Sequence, residues 1–143
     1  MNTIVVDASV AAKWCLPGSD ESLVAEAGDL LSRYAKGELR FIVPDLFWSE
    51  LGNILWKAVR QGRCSRSAAE SAILAIQDRN LPTISTVELL QDAFAIAIGF
   101  GHTFYDSLYV ALAVAFKAQL VTADERLANA LAAYLPVKWL GSA

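Results

Sequence analysis

Four acidic residues occupy positions where a charge serves no obvious purpose. Asp7 directly follows the β-branched apolar run Thr3 to Val6, and Asp124 comes just after a second strand-like run, Gln119 to Thr122. Asp106 follows the loop residues Gly101, His102 and Thr103. Glu50 lies inside a helical pattern whose apolar stripe is Phe47, Leu51, Ile54, Leu55 and Ala58. Three residues past Phe47 and four before Ile54, it projects from that same face or its border. An ionised carboxylate there is costly without a partner, and a buried Arg or a metal ion would be suitable. Two carboxylates ~4 Å apart repel by about 4 kcal/mol at an effective dielectric of 20, so four converging acids require a counter-ion or partial protonation. An oxygen-only set, without His or Cys, selects Mg²⁺ or Mn²⁺ over Zn²⁺.

These acids also have ordinary explanations, Glu50 as a helix-edge residue. Asp is a preferred helix N-cap, and Asp45, Asp106 and Asp124 all stand at helix starts. Thr122-Ala123-Asp124-Glu125 fits a capping box. Asp7 is harder to explain this way because it abuts the strand core. Taken together, four separate coincidences would be needed.

The elements that must position these acids can be read from periodicity and breakers. Strands are expected at Thr3 to Val6, Phe41 to Val43, Leu81 to Ser85, Gln119 to Thr122 and Val137 to Leu140. Helices are expected at Val10 to Cys15, Ser19 to Lys36, Asp45 to Gln61, Ser65 to Arg79, Val87 to Phe100, Asp106 to Lys117 and Asp124 to Tyr134. Leu16-Pro17-Gly18 breaks the first helix, and Gly37 and Gly62 stop the next two. Pro82 puts its strand at a sheet edge. Strands alternating with helices predict an α/β fold, a three-layer sandwich around a mostly parallel sheet. In such sheets ligands bind beyond the carboxyl ends of the strands where strand order reverses, and Asp7 and Asp124 both sit at such ends.

The 143 residues fit one domain, here expected over 1–143, and 55% hydrophobic against 19% charged residues excludes a disordered chain. No apolar run reaches the ~20 residues of a membrane span. Met1-Asn2-Thr3 has no basic segment ahead of an apolar run, so no secretory leader is expected and the location is expected to be cytoplasmic. Cys15 and Cys64 lack metal or redox spacing and read as reduced structural thiols. The net charge of −3 argues against a basic coat, yet without the four acids the chain would carry +1.

Lys57, Arg60, Arg63 and Arg66 recur every third residue, either as a phosphate-tracking patch or as a solvated helix-hairpin tip. Lys13 would touch a phosphate or cap its short helix. His102 is the only histidine, and a loop or packing role is favoured over a general base. Trp14, Trp48, Trp56 and Trp139 offer stacking surfaces, with packing the default for Trp48 and Trp56. The apolar surplus at Ala93 to Phe100 and Ala69 to Ile76 suggests a homodimer interface.

Asp7-Ala8-Ser9-Val10-Ala11-Ala12-Lys13-Trp14 with Pro17 resembles the opening of PIN-domain proteins of the VapC toxin type. Ser49-Glu50-Leu51, Tyr105 to Ala113 and Thr122-Ala123-Asp124-Glu125-Arg126-Leu127 resemble the family's later blocks, in the family's order. An acid often follows the proline of the first block, where this chain has Gly18 and Ser19. The resemblance implies a five-stranded sheet of order 3-2-1-4-5 and a metal-dependent endoribonuclease. Asp7, Glu50, Asp106 and Asp124 would then be an acidic quartet around Mg²⁺ or Mn²⁺, with Ser9 and Thr122 as supporting hydroxyls. Asp7 and Asp106 would be direct ligands, and Glu50 or Asp124 would orient the attacking water or hold a second ion. A carboxylate-held Mg²⁺ lowers the pKa of its water and clamps phosphoryl oxygens, as phosphodiester hydrolysis requires. The resemblance also implies an RNA substrate, cut to 5′-phosphate and 3′-hydroxyl ends, and a partner antitoxin. The competing readings are a Mg²⁺-binding phosphoacceptor receiver domain and a non-catalytic RNA-binding or interaction module. A receiver expects an acidic pair after its first strand, where only Asp7 stands; a haloacid-dehalogenase-type phosphatase would need a second Asp at Ser9.

Overall fold

The computed structural model describes residues 2–16 and 22–143. Five strands form one sheet: β1 (Asn2–Val6), β2 (Leu39–Pro44), β3 (Thr83–Ile84), β4 (Gln119–Thr122) and β5 (Val137–Trp139). Their order is β3-β2-β1-β4-β5 and every pairing is parallel, as the resemblance implied. Among the described residues seven helices join them: α1 (Ala8–Cys15), α2 (Val24–Ala35), α3 (Leu46–Arg60), α4 (Arg66–Gln77), α5 (Thr86–Phe100), α6 (Phe104–Ala115) and α7 (Glu125–Leu131). A short 3-10 turn, Leu140–Ser142, follows β5.

Right-handed crossovers dictate the layering. From β1 the chain steps to β2 and β3 in one direction, then reverses to β4 and β5. Helices before the reversal therefore cover one face and those after it the other. Packing agrees: α1 lies against α2 and α3, α3 against α4, and α5 against α6. The central strands β1 and β4 are buried on both sides, and α6 is buried continuously from Ser107 to Ala113 where it crosses β1, β2 and β4. No helix among the described residues is long and apolar enough to cross a membrane.

Several element ends differ from expectation. The second helix starts at Val24 rather than Ser19; Ser22 and Leu23 lie outside it, Leu23 at a left-handed φ of 60°. Pro17, Gly18 and Ser19 lie outside the described residues. Gly37 and Gly62 do stop their helices, at φ of 77° and 73°. At the latter, Arg63 N–H donates to Ala58 O and Gly62 N–H to Val59 O, which is a Schellman closure. The edge strand contracts to Thr83–Ile84, with Pro82 outside the ladder except for its carbonyl, which accepts from Val43 N–H.

Candidate active site

The reversal of strand order falls between β1 and β4, and the acids gather over their carboxyl ends. Asp7 leaves β1 with its N–H still bonded to Val121 O on β4 (3.2 Å). One carboxylate oxygen accepts from Ser9 N–H at 3.3 Å, making Asp7 the N-cap of α1 as well. The other accepts from Thr122 Oγ1 at 2.7 Å. Thr122 Oγ1 in turn accepts from Asp124 N–H, and Ser9 Oγ accepts from Ala123 N–H. The two supporting hydroxyls thus tie the turn after β4 to the turn after β1, which positions Asp124. Asp124 caps α7 through Leu127 N–H at 3.2 Å. The capping box expected at Thr122 is absent because α7 starts at Glu125 with Asp124 as its N-cap, two residues beyond Thr122.

Asp106 is not a helix cap. Thr103 caps α6, accepting from Asp106 N–H at 3.1 Å, which leaves the Asp106 carboxylate in the first turn and free of capping duty. Glu50 reaches the same region from α3 on the opposite helical layer. Its expected partner was an Arg or a metal; the structure supplies Tyr109, whose hydroxyl donates to Glu50 Oε1 at 2.7 Å. Tyr109 was not singled out from the sequence. Its available signals are its place in the Tyr105 to Ala113 block and its spacing, three residues past Asp106 on one helix and so on the same face.

Burial pushes Asp7 up to about 6, overriding the two donors that pull it down, and the charges of Glu50 and Asp106 add to the rise. Burial raises Glu50 as well; Tyr109 opposes this and Asp106 adds to it. Asp106 is raised by burial and by Asp124, against the Thr103 bond and the nearby His102. The Tyr109 phenol is driven far above its usual value by burial and by the negative charge of Asp7 and Glu50, so it remains a neutral donor. All four acids are therefore linked in one chain of repulsions.

Among the described residues no three His, Cys, Asp or Glu side chains form a group compact enough to hold a metal ion. The donor set still fits a hard divalent cation. It is oxygen-only, and Asp7, Glu50 and Asp106 repel one another and are held partly desolvated, which a bound cation would offset. Asp106 and Asp124 also share a pocket of about 280 Å³ with His102 and Arg126.

The basic candidates are dispersed. Lys57 is exposed on α3, two turns and roughly 10 Å past Glu50. Arg60 lies over the Trp56 ring, 5.1 Å from its centroid, and Arg66 pairs with Glu70 at 3.0 Å. Arg63 sits half-buried in the Gly62 turn. Lys13, in the last turn of α1, is about 9 Å along the axis from Asp7. Of the tryptophans, Trp14 donates to Ala27 O and stacks on Phe41, and Trp48 donates to Thr83 Oγ1. Trp56 departs from the packing default: it is 54% exposed.

The PIN domain family model matches residues 4–131. The chain belongs to the PIN domain family. Ribonuclease VapC3 of Pyrobaculum aerophilum is 33% identical over 128 residues, 88% of this chain and 92% of that protein. A crystal structure from Pyrobaculum aerophilum superposes with a TM-score of 0.67 at 24% identity, covering 99% of this chain and 85% of that one. A toxin–antitoxin complex from Klebsiella pneumoniae gives 0.65 at 13% identity over 94% of this chain and 95% of that one. These two share the PIN architecture with this chain. Homology to VapC ribonucleases decides against the receiver-domain alternative.

Proposed function

We propose that this chain, as one domain over 1–143, is a Mg²⁺- or Mn²⁺-dependent endoribonuclease and the toxin of a toxin–antitoxin pair acting in the cytoplasm. The observation that carries the reading is the mutual repulsion of Asp7, Glu50 and Asp106 over the carboxyl ends of β1 and β4, in a chain homologous to VapC ribonucleases. A divalent cation bound there would activate a water and neutralise charge on the phosphate. Asp7 and Asp106 are assigned as its direct ligands. Glu50, oriented by the Tyr109 hydroxyl, or Asp124 directs the attacking water. Thr122 and Ser9 hold Asp7 and the Asp124 turn in position.

Two protein partners belong to this reading. One is an antitoxin, supported by the likeness to a chain of a toxin–antitoxin complex. The other is a second copy of the chain, supported by an exposed apolar stripe on α5.

The deciding experiment is cleavage of total cellular RNA by purified, antitoxin-free protein with Mg²⁺ or Mn²⁺, with product ends mapped. Discrete cuts, lost in EDTA and in Asp106→Asn, are expected. RNA binding with no cuts under either metal would favour a non-catalytic binding module.

A further inference from the structure

The pocket that Asp106 and Asp124 share is lined by more than acids. Its walls carry His102 from the turn before α6 and Arg126, Leu127 and Ala130 from α7. Arg126 is exposed and makes no ion pair among the described residues, although it stands on the rim of an acidic site. A cation kept beside acids but not consumed by them remains available to an anion. One turn of chain past Ala130, Tyr134 is 74% exposed and pairs with Phe100, ring centroids 6.1 Å apart.

Phe100 does not belong to the outward stripe of α5. Leu89, Ala93 and Ile96 form the inward face of that helix, and Phe100, four residues past Ile96, continues the inward face beyond the edge of the core. Phe100 comes two residues before His102 and Tyr134 four residues after Ala130, and both His102 and Ala130 line the pocket, so the ring pair stands beside it. Acids, a guanidinium and an imidazole around one pocket, with two aromatic rings beside it, match the chemistry of a nucleic-acid strand, which alternates charged phosphates with flat bases.

We propose that this pocket and the ring pair beside it form the track for the RNA strand flanking the scissile bond, with Arg126 and His102 on a neighbouring phosphate and the Phe100–Tyr134 pair stacking a base. The inference rests on the endoribonuclease reading and names how that site grips its substrate. Arg126 acts as a positioning residue and the aromatic pair as a sequence-tolerant platform.

The test is fluorescence anisotropy with a labelled, mixed-sequence single-stranded 12-mer RNA in EDTA, so that no cleavage occurs, across a salt series. Arg126→Gln should weaken binding roughly fivefold or more and lower the slope of log affinity against log salt by about 0.7, the value for one phosphate on a single strand. Arg126→Lys should restore the slope. The double variant Phe100→Leu, Tyr134→Leu should also weaken binding roughly fivefold or more, with the slope unchanged. In multiple-turnover cleavage, Arg126→Gln should raise KM and leave kcat near wild type. Lys36→Gln, an exposed cation after α2, is the control for general charge. Wild-type binding with an unchanged slope in Arg126→Gln overturns the inference alone. A wild-type protein that neither binds nor cuts RNA overturns the endoribonuclease reading and this inference with it.

Discussion

At Asp7 two hydrogen-bond donors and the burial of a charge pull in opposite directions, and burial wins. The carboxyl is held at about 6 in the folded chain against 3.8 for an unperturbed Asp. The native state therefore binds more protons than the unfolded state between roughly pH 4 and 6, and this group's contribution to stability falls as pH rises through that window. At 1.36 kcal/mol per pKa unit the swing is about 3 kcal/mol. In EDTA, the stability difference between Asp7→Asn and wild type, from urea unfolding, should grow by about 2–3 kcal/mol from pH 4 to 6.5 in favour of the variant. The same variant should lose cleavage. Parallel pH profiles would refute the buried-carboxylate account. Tyr109→Phe isolates a second contact, since it keeps the ring and deletes the donor to Glu50. We expect kcat to fall about tenfold with KM for RNA little changed, because Glu50 loses its orientation while the RNA-contacting surface stays intact. Stability should shift by no more than about 1 kcal/mol, as Glu50 is half-exposed and water can replace the phenol. The acids themselves were legible as misplaced charges. Tyr109 was not, because a Tyr amid apolar residues on a helix looks the same as core packing.

At the scale of elements, helix ends decide which acids are available. Thr103 caps α6 and Asp124 caps α7, a division the sequence left open because Thr103 and Asp106 are both acceptable caps. The last strand depends on a close approach. Gly141 lies under the Trp139 ring, and a Cβ there would overlap the ring's six-membered edge. Gly141→Ala should cost about 1–2 kcal/mol by displacing that ring and loosening the end of β5. Thermal unfolding monitored by Trp fluorescence would reveal it. A variant as stable as wild type would mean that the ring turns aside freely. Strand and helix order could be read from the sequence because periodicity and breakers act within a few residues. The start of α2 could not, since Leu23 at positive φ is a conformation its side-chain type does not signal.

On the scale of the whole molecule, α5 leaves Leu90, Phe94 and Ile98 outward, the last two 60% and 71% exposed. The apolar surplus noted at Ala93 to Phe100 is thus divided: Ala93 enters the core, while Phe94 and Ile98 stay on the surface. At Ala69 to Ile76, Ala69 and Ile76 are buried and Leu74 is exposed. Equilibrium sedimentation at micromolar concentration should give twice the chain mass for wild type and a folded monomer for Phe94→Glu. A wild-type monomer would remove the self-association reading.

By itself the sequence determined the alternation of strands and helices, the placement of Asp7 and Asp124 at strand ends, and the blocks that mark a PIN domain. Each of these depends on neighbours a few positions apart. Only the tertiary structure decided which partners the acids take. Thr122 reaches Asp7 across 115 positions and Tyr109 reaches Glu50 across 59. Those bonds exist because β4 closes beside β1 and because two helical layers meet over the strand ends. The raised Asp7 has the same origin, since desolvation is a property of everything packed around a carboxylate and is not encoded by the residues adjacent to it in the chain.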